Sequence, residues 1–191
     1  MDFLSADQLV NPERGDLLIS EPYLSDPNFD RTVIYLCEHN ENGTFGFVLN
    51  KLANVQLADV IDEVSYDSDL FVGGPVQQDT LHYIHRDSEL STSSKCVKNG
   101  IFWGGDYDSL LQMMNTKTMI SNDIRFFIGY SGWAPDQLMD EMKAKSWIVL
   151  KEATPDMIFD WDNQYLWKEC LKTIGGKYRL MSNYPKDPRM N

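Results

Sequence analysis

A chain of 191 residues, 42% apolar and 12% aromatic, holds enough hydrophobic matter for one folded core and is not a disordered polymer. Its formal charge of −12 opposes a phosphate backbone, and its basic stretches (Lys143 and Lys145, residues 172–179, residues 186–189) are broken by acidic, apolar or small polar residues, so direct nucleic-acid binding is not expected. No apolar run reaches bilayer length, Met1-Asp2-Phe3-Leu4 lacks the start of a secretion signal, and Cys37, Cys96 and Cys170 form no C-x-x-C pair; a reducing, cytoplasmic setting without membrane contact is expected.

Residues 1–15 read as a polar arm with a helical turn near 7–10, closed by Pro12 and Gly15, followed by a short strand over 16–20 and a loop over 21–30 set by Pro22 and Pro27. Residues 31–39 are the clearest strand. Val33, Tyr35, Cys37 and His39 fall on one face and Thr32, Ile34, Leu36 and Glu38 on the other; both faces are largely apolar, which predicts an inner strand. Asn42-Gly43 predicts a hairpin turn into a return strand over 44–50, with Phe45, Phe47 and Leu49 on one face. Leu57, Val60, Ile61 and Val64 have the spacing of a half-buried helix.

A short strand over 70–72 runs into Gly73-Gly74-Pro75, another covers 81–85, and strands over 95–98 and 101–103 flank Asn99-Gly100 as a second hairpin. Asp106 caps a helix bearing Leu110, Leu111, Met113 and Met114. A strand over 124–130 leads to a helix opened by Pro135 and carrying Leu138 and Met142. Then come a strand over 147–150, a helical turn at Thr154-Pro155, and a last helix over 163–174 that buries Leu166, Trp167, Cys170 and Leu171 and stops at Gly175-Gly176; the tail from 182 reads as loose. Hairpins early in the chain favour one α+β domain over residues 1–191, its core over about 15–175, with an antiparallel or mixed sheet flanked by helices.

The sharpest chemical constellation is Cys37-Glu38-His39. Residues two apart on a regular strand share a face with Cβ atoms roughly 6–7 Å apart, and an imidazole beside a thiol lowers its pKa. Cys37 and His39 are therefore the candidate catalytic pair, against the commoner role of a free cysteine as core filler. Cys37, His39, His82 and His85 show no metal-ligand spacing, so neither a metal nor another cofactor is expected. Gly129-Tyr130-Ser131-Gly132-Trp133 approaches the nucleophile elbow G-x-S-x-G but has Trp133 at its fifth position and no histidine after it; it reads as a turn whose amides could bind an anion. Gly73-Gly74-Pro75 and Gly104-Gly105 match no phosphate loop, Asp59, Asp62 and Glu63 read as a solvated face, and the five tryptophans follow no regular spacing.

Taken in order, Pro22, Phe29-Asp30-Arg31-Thr32-Val33, Cys37-Glu38-His39-Asn40, Gly43-x-x-Gly46, Asn50-Lys51, Gly73-Gly74-Pro75 and Gly129-Tyr130-Ser131-Gly132-Trp133 with Gln137-Leu138 closely resemble the YqgE/AlgH family of small bacterial proteins, over roughly residues 15–175. The resemblance implies a compact α/β fold of the family's own and a cytosolic protein without a settled activity, some members carrying the label of transcriptional regulator. On the family's motif positions fall Cys37 and His39, and the candidate ligand-binding residues Asn50, Gly73, Gly74, Pro75, His85, Gly129, Trp133 and Gln137. His82 has no counterpart there. Asp136 and Met139 stand where many members have Gly and Glu, Lys145 where many have Asn, and Thr80-Leu81 replaces an Arg-Gly pair. The expected function is a module, monomer or homodimer, that binds a small molecule or protein and acts indirectly on expression. The alternatives are a cysteine enzyme or redox sensor centred on Cys37, and a direct transcriptional regulator.

Overall fold

The computed structural model describes residues 10–62, 68–116 and 121–186. Among the described residues, nine strands form one mixed sheet: β1 (Leu17–Ser20), β2 (Val33–Asn40), β3 (Gly43–Val48), β4 (Leu70–Val72), β5 (Val76–His85), β6 (Lys95–Lys98), β7 (Ile101–Trp103), β8 (Ile124–Trp133) and β9 (Trp147–Leu150). The order is β6-β7-β5-β8-β3-β2-β1-β9, with β4 alongside β8. Every pairing is antiparallel except that of β4 with β8. Five α-helices, counted among the described residues, complete the α+β fold: α1 (Tyr107–Thr116), α2 (Gln137–Lys143), α3 (Pro155–Phe159), α4 (Leu166–Ile174) and α5 (Gly176–Met181).

The two-sided apolar pattern of β2 has the expected consequence. It lies between β1 and β3, and its faces enter different cores. Val33, Tyr35 and Cys37 pack with Leu17, Phe47 and the inner residues of α3 and α4, including Ile158, Leu166, Trp167 and Leu171. Ile34 and Leu36 pack with Leu18, Val48, Trp133 and the α2 residues Leu138 and Met142. A third cluster lies under α1, where Leu110, Met113 and Met114 meet Tyr83, Leu90 and Phe126. Truncating any such fully buried Leu to Ala costs about 2–5 kcal/mol.

β8 holds the two halves of the sheet together. Residues 124–128 pair with β5 and β4, and residues 131–133 pair with β3. β8 and β5 are both longer than the sequence signals suggested: glycines interrupt the apolar pattern of β8, and β5 starts at once after Gly73-Gly74-Pro75, then loses register between Val76 and Leu81.

The Asn99-Gly100 hairpin forms as expected, both residues with positive φ (53° and 76°), as a two-residue primed turn requires. In the first hairpin Asn40 pairs with Gly43, so the loop is Glu41-Asn42, one residue earlier than expected. Gly43 enters β3 with φ 131°, and a Cβ there would stand 2.6 Å from the Trp133 carbonyl oxygen.

Asp106 caps α1 as expected, its Oδ2 accepting from Ser109 N at 2.8 Å. Four expectations change. The helix over Leu57–Val64 is a single 3-10 turn at Leu57–Asp59; Val60 is 43% exposed, and Val64 lies outside the described residues, as does most of the helical turn near 7–10. α2 begins at Gln137 rather than Pro135, because Asp136 turns left-handed (φ 65°). α4 begins at Leu166, after Asp162 and Asn163 have been spent in a turn. Finally, the C-terminal segment is packed. Gly175 ends α4 but α5 follows, Ser182 is buried, Arg31 Nη2 donates to the Tyr184 carbonyl at 2.6 Å, and Tyr184 stacks on Tyr23.

Candidate functional site

The Cys37-Glu38-His39 segment is not a regular strand. Tyr35 pairs with Phe47 and Leu36 with Gly46, but the next pair is Glu38 with Phe45; the register shifts and Cys37 is the extra residue of a β-bulge. A bulge turns over the alternation downstream of it. Glu38 thereby joins Phe45 and Phe47 on the face that carries Cys37, while His39 pairs with Thr44 on the opposite face. The expected shared face of Cys37 and His39 is therefore corrected. The His39 Nδ1 is hydrogen-bonded to Thr44 Oγ1 at 2.5 Å. Cys37 is 1% exposed, and burial, then the Glu38 charge, push its thiol far above the ordinary range. A thiol so placed is a poor nucleophile.

The glycine-rich segments meet each other rather than opening a phosphate cradle. Gly73 and Gly74 cross β8 so closely that a Cβ on either would overlap the backbone of Gly129 or Tyr130, and one on Gly129 would lie 2.7 Å from the Val76 carbonyl oxygen. Ser131 Oγ donates to the Gly73 carbonyl at 3.0 Å, so the serine of the elbow-like motif is buried and engaged. Pro75 is exposed at the end of the crossing. Asn50 ties the strand ends together: its Oδ1 accepts from Val33 N and its Nδ2 donates to the Arg31 carbonyl, both at 2.9 Å.

Trp133 and Gln137 belong to one network with Glu141. The indole Nε1 atoms of Trp133 and Trp147 donate to the same carboxylate oxygen, Oε2, at 2.9 and 2.7 Å, and Gln137 Nε2 donates to Oε1 at 3.0 Å. Gln137 Oε1 also accepts from Ala134 N, closing the entry to α2. Asp136 and Lys145, two of the departures from the family pattern, are both left-handed (φ 65° and 61°), where Gly and Asn are the favoured residues.

His85 is fully buried, with Nε2 2.8 Å from Ser94 Oγ and 3.1 Å from the Gly104 carbonyl oxygen. Burial lowers its pKa, against opposing contributions from Gly104 and Asp87. It holds the β6–β7 hairpin to β5.

A concavity of about 700 Å³ lies on the Glu38 side of the bulge and is lined by Glu38, Asn40, Phe45, His82, Trp103, Tyr130 and Trp133. Within the lining, Phe45 lies 4.6 Å from Trp103 and 6.0 Å from Tyr130 between ring centroids. His82 is edge-on to Tyr130 at 5.9 Å. Thr80 Oγ1 donates to the Gln77 carbonyl at 2.7 Å and lies 2.9 Å from His82 Nε2, so the ring nitrogen is the donor to it. Desolvation lowers the His82 pKa, which keeps the ring neutral. At the mouth Lys95 Nζ pairs with Glu38 Oε2 at 3.1 Å and lies 5.9 Å from the Trp103 ring centroid.

Of the residues singled out in the sequence, only Trp133 borders this cleft. Glu38, Phe45 and Tyr130 lie inside the family motifs without standing out there, His82 lies outside them, and Trp103 is one of five tryptophans without regular spacing. Among the described residues no group of three His, Cys, Asp or Glu is placed to hold a metal, and no helix is long and apolar enough to cross a membrane.

A mixed, mainly antiparallel sheet with helices on both faces and an aromatic cleft at one hairpin defines an α+β protein. A family model described as AlgH-like matches residues 17–179, and the chain belongs to this AlgH-like (YqgE/AlgH) family. It is 42% identical over 180 residues to the UPF0301 protein of Cytophaga hutchinsonii, covering 93% of this chain and 98% of that one. It is 39% identical over 184 residues to UPF0301 protein BF2109 of Bacteroides fragilis, covering 95% and 93%. The crystal structure of protein DIP2367 from Corynebacterium diphtheriae shares the fold at a TM-score of 0.75 and 24% identity, over 95% of this chain and 100% of that one. The solution structure of the AlgH protein from Pseudomonas aeruginosa superposes with a TM-score of 0.70 at 27% identity, over 92% and 97%.

Proposed function

We propose that this chain is a cytoplasmic ligand-binding module whose site is the cleft around Phe45, and that it acts on expression through what it binds rather than by contacting DNA. One observation carries the reading: Phe45, Trp103, Tyr130 and His82 converge on a concavity of about 700 Å³ with Glu38 and Asn40 on its polar side. That volume lies within the range of small-molecule sites, and apolar walls with a few polar groups are their usual chemistry. The ligand class that fits is a flat organic ring or an organic cation. Aromatic faces attract both, Glu38 supplies a carboxylate, and the net charge of −12 favours cations over anions. The chain's own Lys95 already occupies the cation position, pairing with Glu38 beside Trp103. Both side chains are substantially exposed, so a ligand displaces this ion pair at small cost.

Ligand-observed NMR with a panel of flat neutral rings, organic cations and organic anions of matched size tests the reading. The expected result is binding of rings or cations that is lost in Trp103→Ala and Phe45→Ala, each checked for folding by circular dichroism. Binding that survives both substitutions, or no binding from the first two classes, contradicts it.

A further inference from the structure

A second cleft, of about 340 Å³, is lined by Ser68, Asp69, Phe71, Asn122, Ile124, Arg125, Phe159 and Asn163. It shares no residue with the aromatic cleft. Two of its polar side chains are incompletely matched: Arg125 has no ion-pair partner among the described residues, and Asn163 has a buried oxygen without a hydrogen bond. Arg125 is 7% exposed and sits on β8 with its guanidinium 5.0 Å from the Phe71 ring centroid. Its Nη1 donates to the Leu49 carbonyl at 2.9 Å. Among the described residues no carboxylate comes within ion-pair distance of it. The contrast with Arg86 is sharp: each Arg86 nitrogen meets a carboxylate, Nε on Asp123 at 2.7 Å and both Nη atoms on Asp160 at 2.9 and 2.8 Å. The second unmatched group is Asn163, whose Oδ1 is buried without a hydrogen-bond partner among the described residues.

A guanidinium presents five N–H donors in a planar fork that matches a carboxylate. Burial pulls the Arg125 pKa down to about 10, with Asp69 and Asp160 acting in the opposite sense, so the group remains a cation at neutral pH. A bare anion does not complete this cleft. Asn163 Oδ1 asks for a donor, and Asp69 sets a carboxylate of its own on the wall. A molecule that carries a carboxylate and an ammonium group on one carbon atom satisfies all three. Its carboxylate meets Arg125, its ammonium meets Asp69 and Asn163 Oδ1, and a short apolar side chain fits against Phe71, Ile124 and Phe159. The volume is at the small end of ligand cavities and suits one amino acid rather than a nucleotide.

We infer that the cleft between β8 and the α3–α4 connection, built on Arg125, Asp69 and Asn163, is a binding site for a free α-amino acid. This site is independent of the aromatic cleft and stands or falls without it.

The test is a titration of ¹⁵N-labelled protein with L-leucine, acetate, methylammonium and inorganic phosphate in separate arms. Saturable shifts of the Arg125 and Asn163 side-chain N–H signals are expected with L-leucine, with acetate and methylammonium each weaker by about tenfold or more, since each satisfies one half of the cleft. Asp69→Asn, on an exposed residue, is expected to weaken L-leucine by about tenfold, and Arg125→Met to abolish its binding. Should Arg125→Met not fold, Asp69→Asn and Asn163→Ala decide alone. No saturable shift with L-leucine up to about 50 mM overturns the inference, as does leucine affinity unchanged in Asp69→Asn and Asn163→Ala. Phosphate or acetate binding as tightly as L-leucine overturns it too, by making the site a plain anion site.

Discussion

Glu38 stands opposite Phe45 across the β2–β3 hairpin, one residue out of step with the alternation that sets Tyr35 opposite Phe47. The extra residue, Cys37, is absorbed into the core, and the carboxylate after it turns to the aromatic cleft. The bulge thus exchanges the two readings of one tripeptide: the middle residue faces the cleft, and the flanking histidine faces away.

The cysteines test that arrangement. Cys96 is exposed, whereas Cys37 and Cys170 are buried with thiol pKa values raised by desolvation, that of Cys170 to about 12. Alkylation of the native protein at pH 7.5, read site by site by mass spectrometry, is expected to label Cys96 and to leave Cys37 and Cys170 unmodified until denaturant is added. Rapid native labelling of Cys37, slowed by His39→Ala, would restore the cysteine-centred alternative.

Glu141 is expected to matter more for stability than an ordinary half-buried carboxylate. Glu141→Ala strands the indole N–H groups of Trp133 and Trp147, and an unsatisfied buried donor costs about 1–3 kcal/mol. Urea unfolding should show a loss of about 2–4 kcal/mol, with Glu141→Gln intermediate because its amide oxygen still accepts. A loss under about 0.5 kcal/mol would show that the two indoles find other partners.

The end of α2 carries a left-handed lysine. Lys145 N donates to the Met142 carbonyl and Ser146 N to the Glu141 carbonyl, both at 3.0 Å, the paired bonds of a Schellman motif with Lys145 at its left-handed position. Lys145→Gly is expected to raise stability by about 1 kcal/mol, and Asp136→Gly by about 0.5 kcal/mol, since aspartate tolerates that conformation better. Equal or lower urea midpoints in both variants would contradict the backbone assignment.

The pH dependence follows from His82 and His85, whose folded-state pKa values are both lowered by burial. Above the unfolded-state pKa of about 6.5 both states are neutral there and nothing is lost. As pH falls through that value the unfolded chain takes up protons that the folded one refuses, so stability declines until the folded-state pKa values are reached. Urea midpoints should drop between about pH 7 and pH 5, by up to about 1.4 kcal/mol per pH unit for each histidine, and His82→Gln should flatten the slope. Midpoints that stay level over that range in both proteins would contradict it.

The sheet was legible where local pattern and burial agree. β2 reads as an inner strand because both its faces are apolar, and Asn99-Gly100 specifies its own turn. The cleft was not legible, for two physical reasons. A bulge leaves no mark in composition, so strict alternation assigned Glu38 to the wrong face. The cleft's walls are also drawn from β2, β3, β5, β7 and β8, so Phe45 and Trp103 are far apart in sequence yet 4.6 Å apart between ring centroids. α5 was hidden by Gly175-Gly176, a strong stop signal that ends α4 but leaves the next residues free to start again. The motif residues Asn50, Gly73, Gly74 and Gly129 were conspicuous in the sequence for a different reason: they are where backbones cross or strand ends are tied.

The central claim is that the aromatic cleft binds a ligand, and the most direct measurement is the ¹H–¹⁵N spectrum of the five tryptophan indoles during titration with a flat ring or organic cation. A saturable shift of the Trp103 indole is expected together with the backbone amides of Phe45 and Tyr130, while Trp161 and Trp167, packed against the core under α3 and α4, stay unmoved. Saturable shifts at Trp161 or Trp167 with Trp103 unchanged, or no saturable shift from either ligand class, would contradict it.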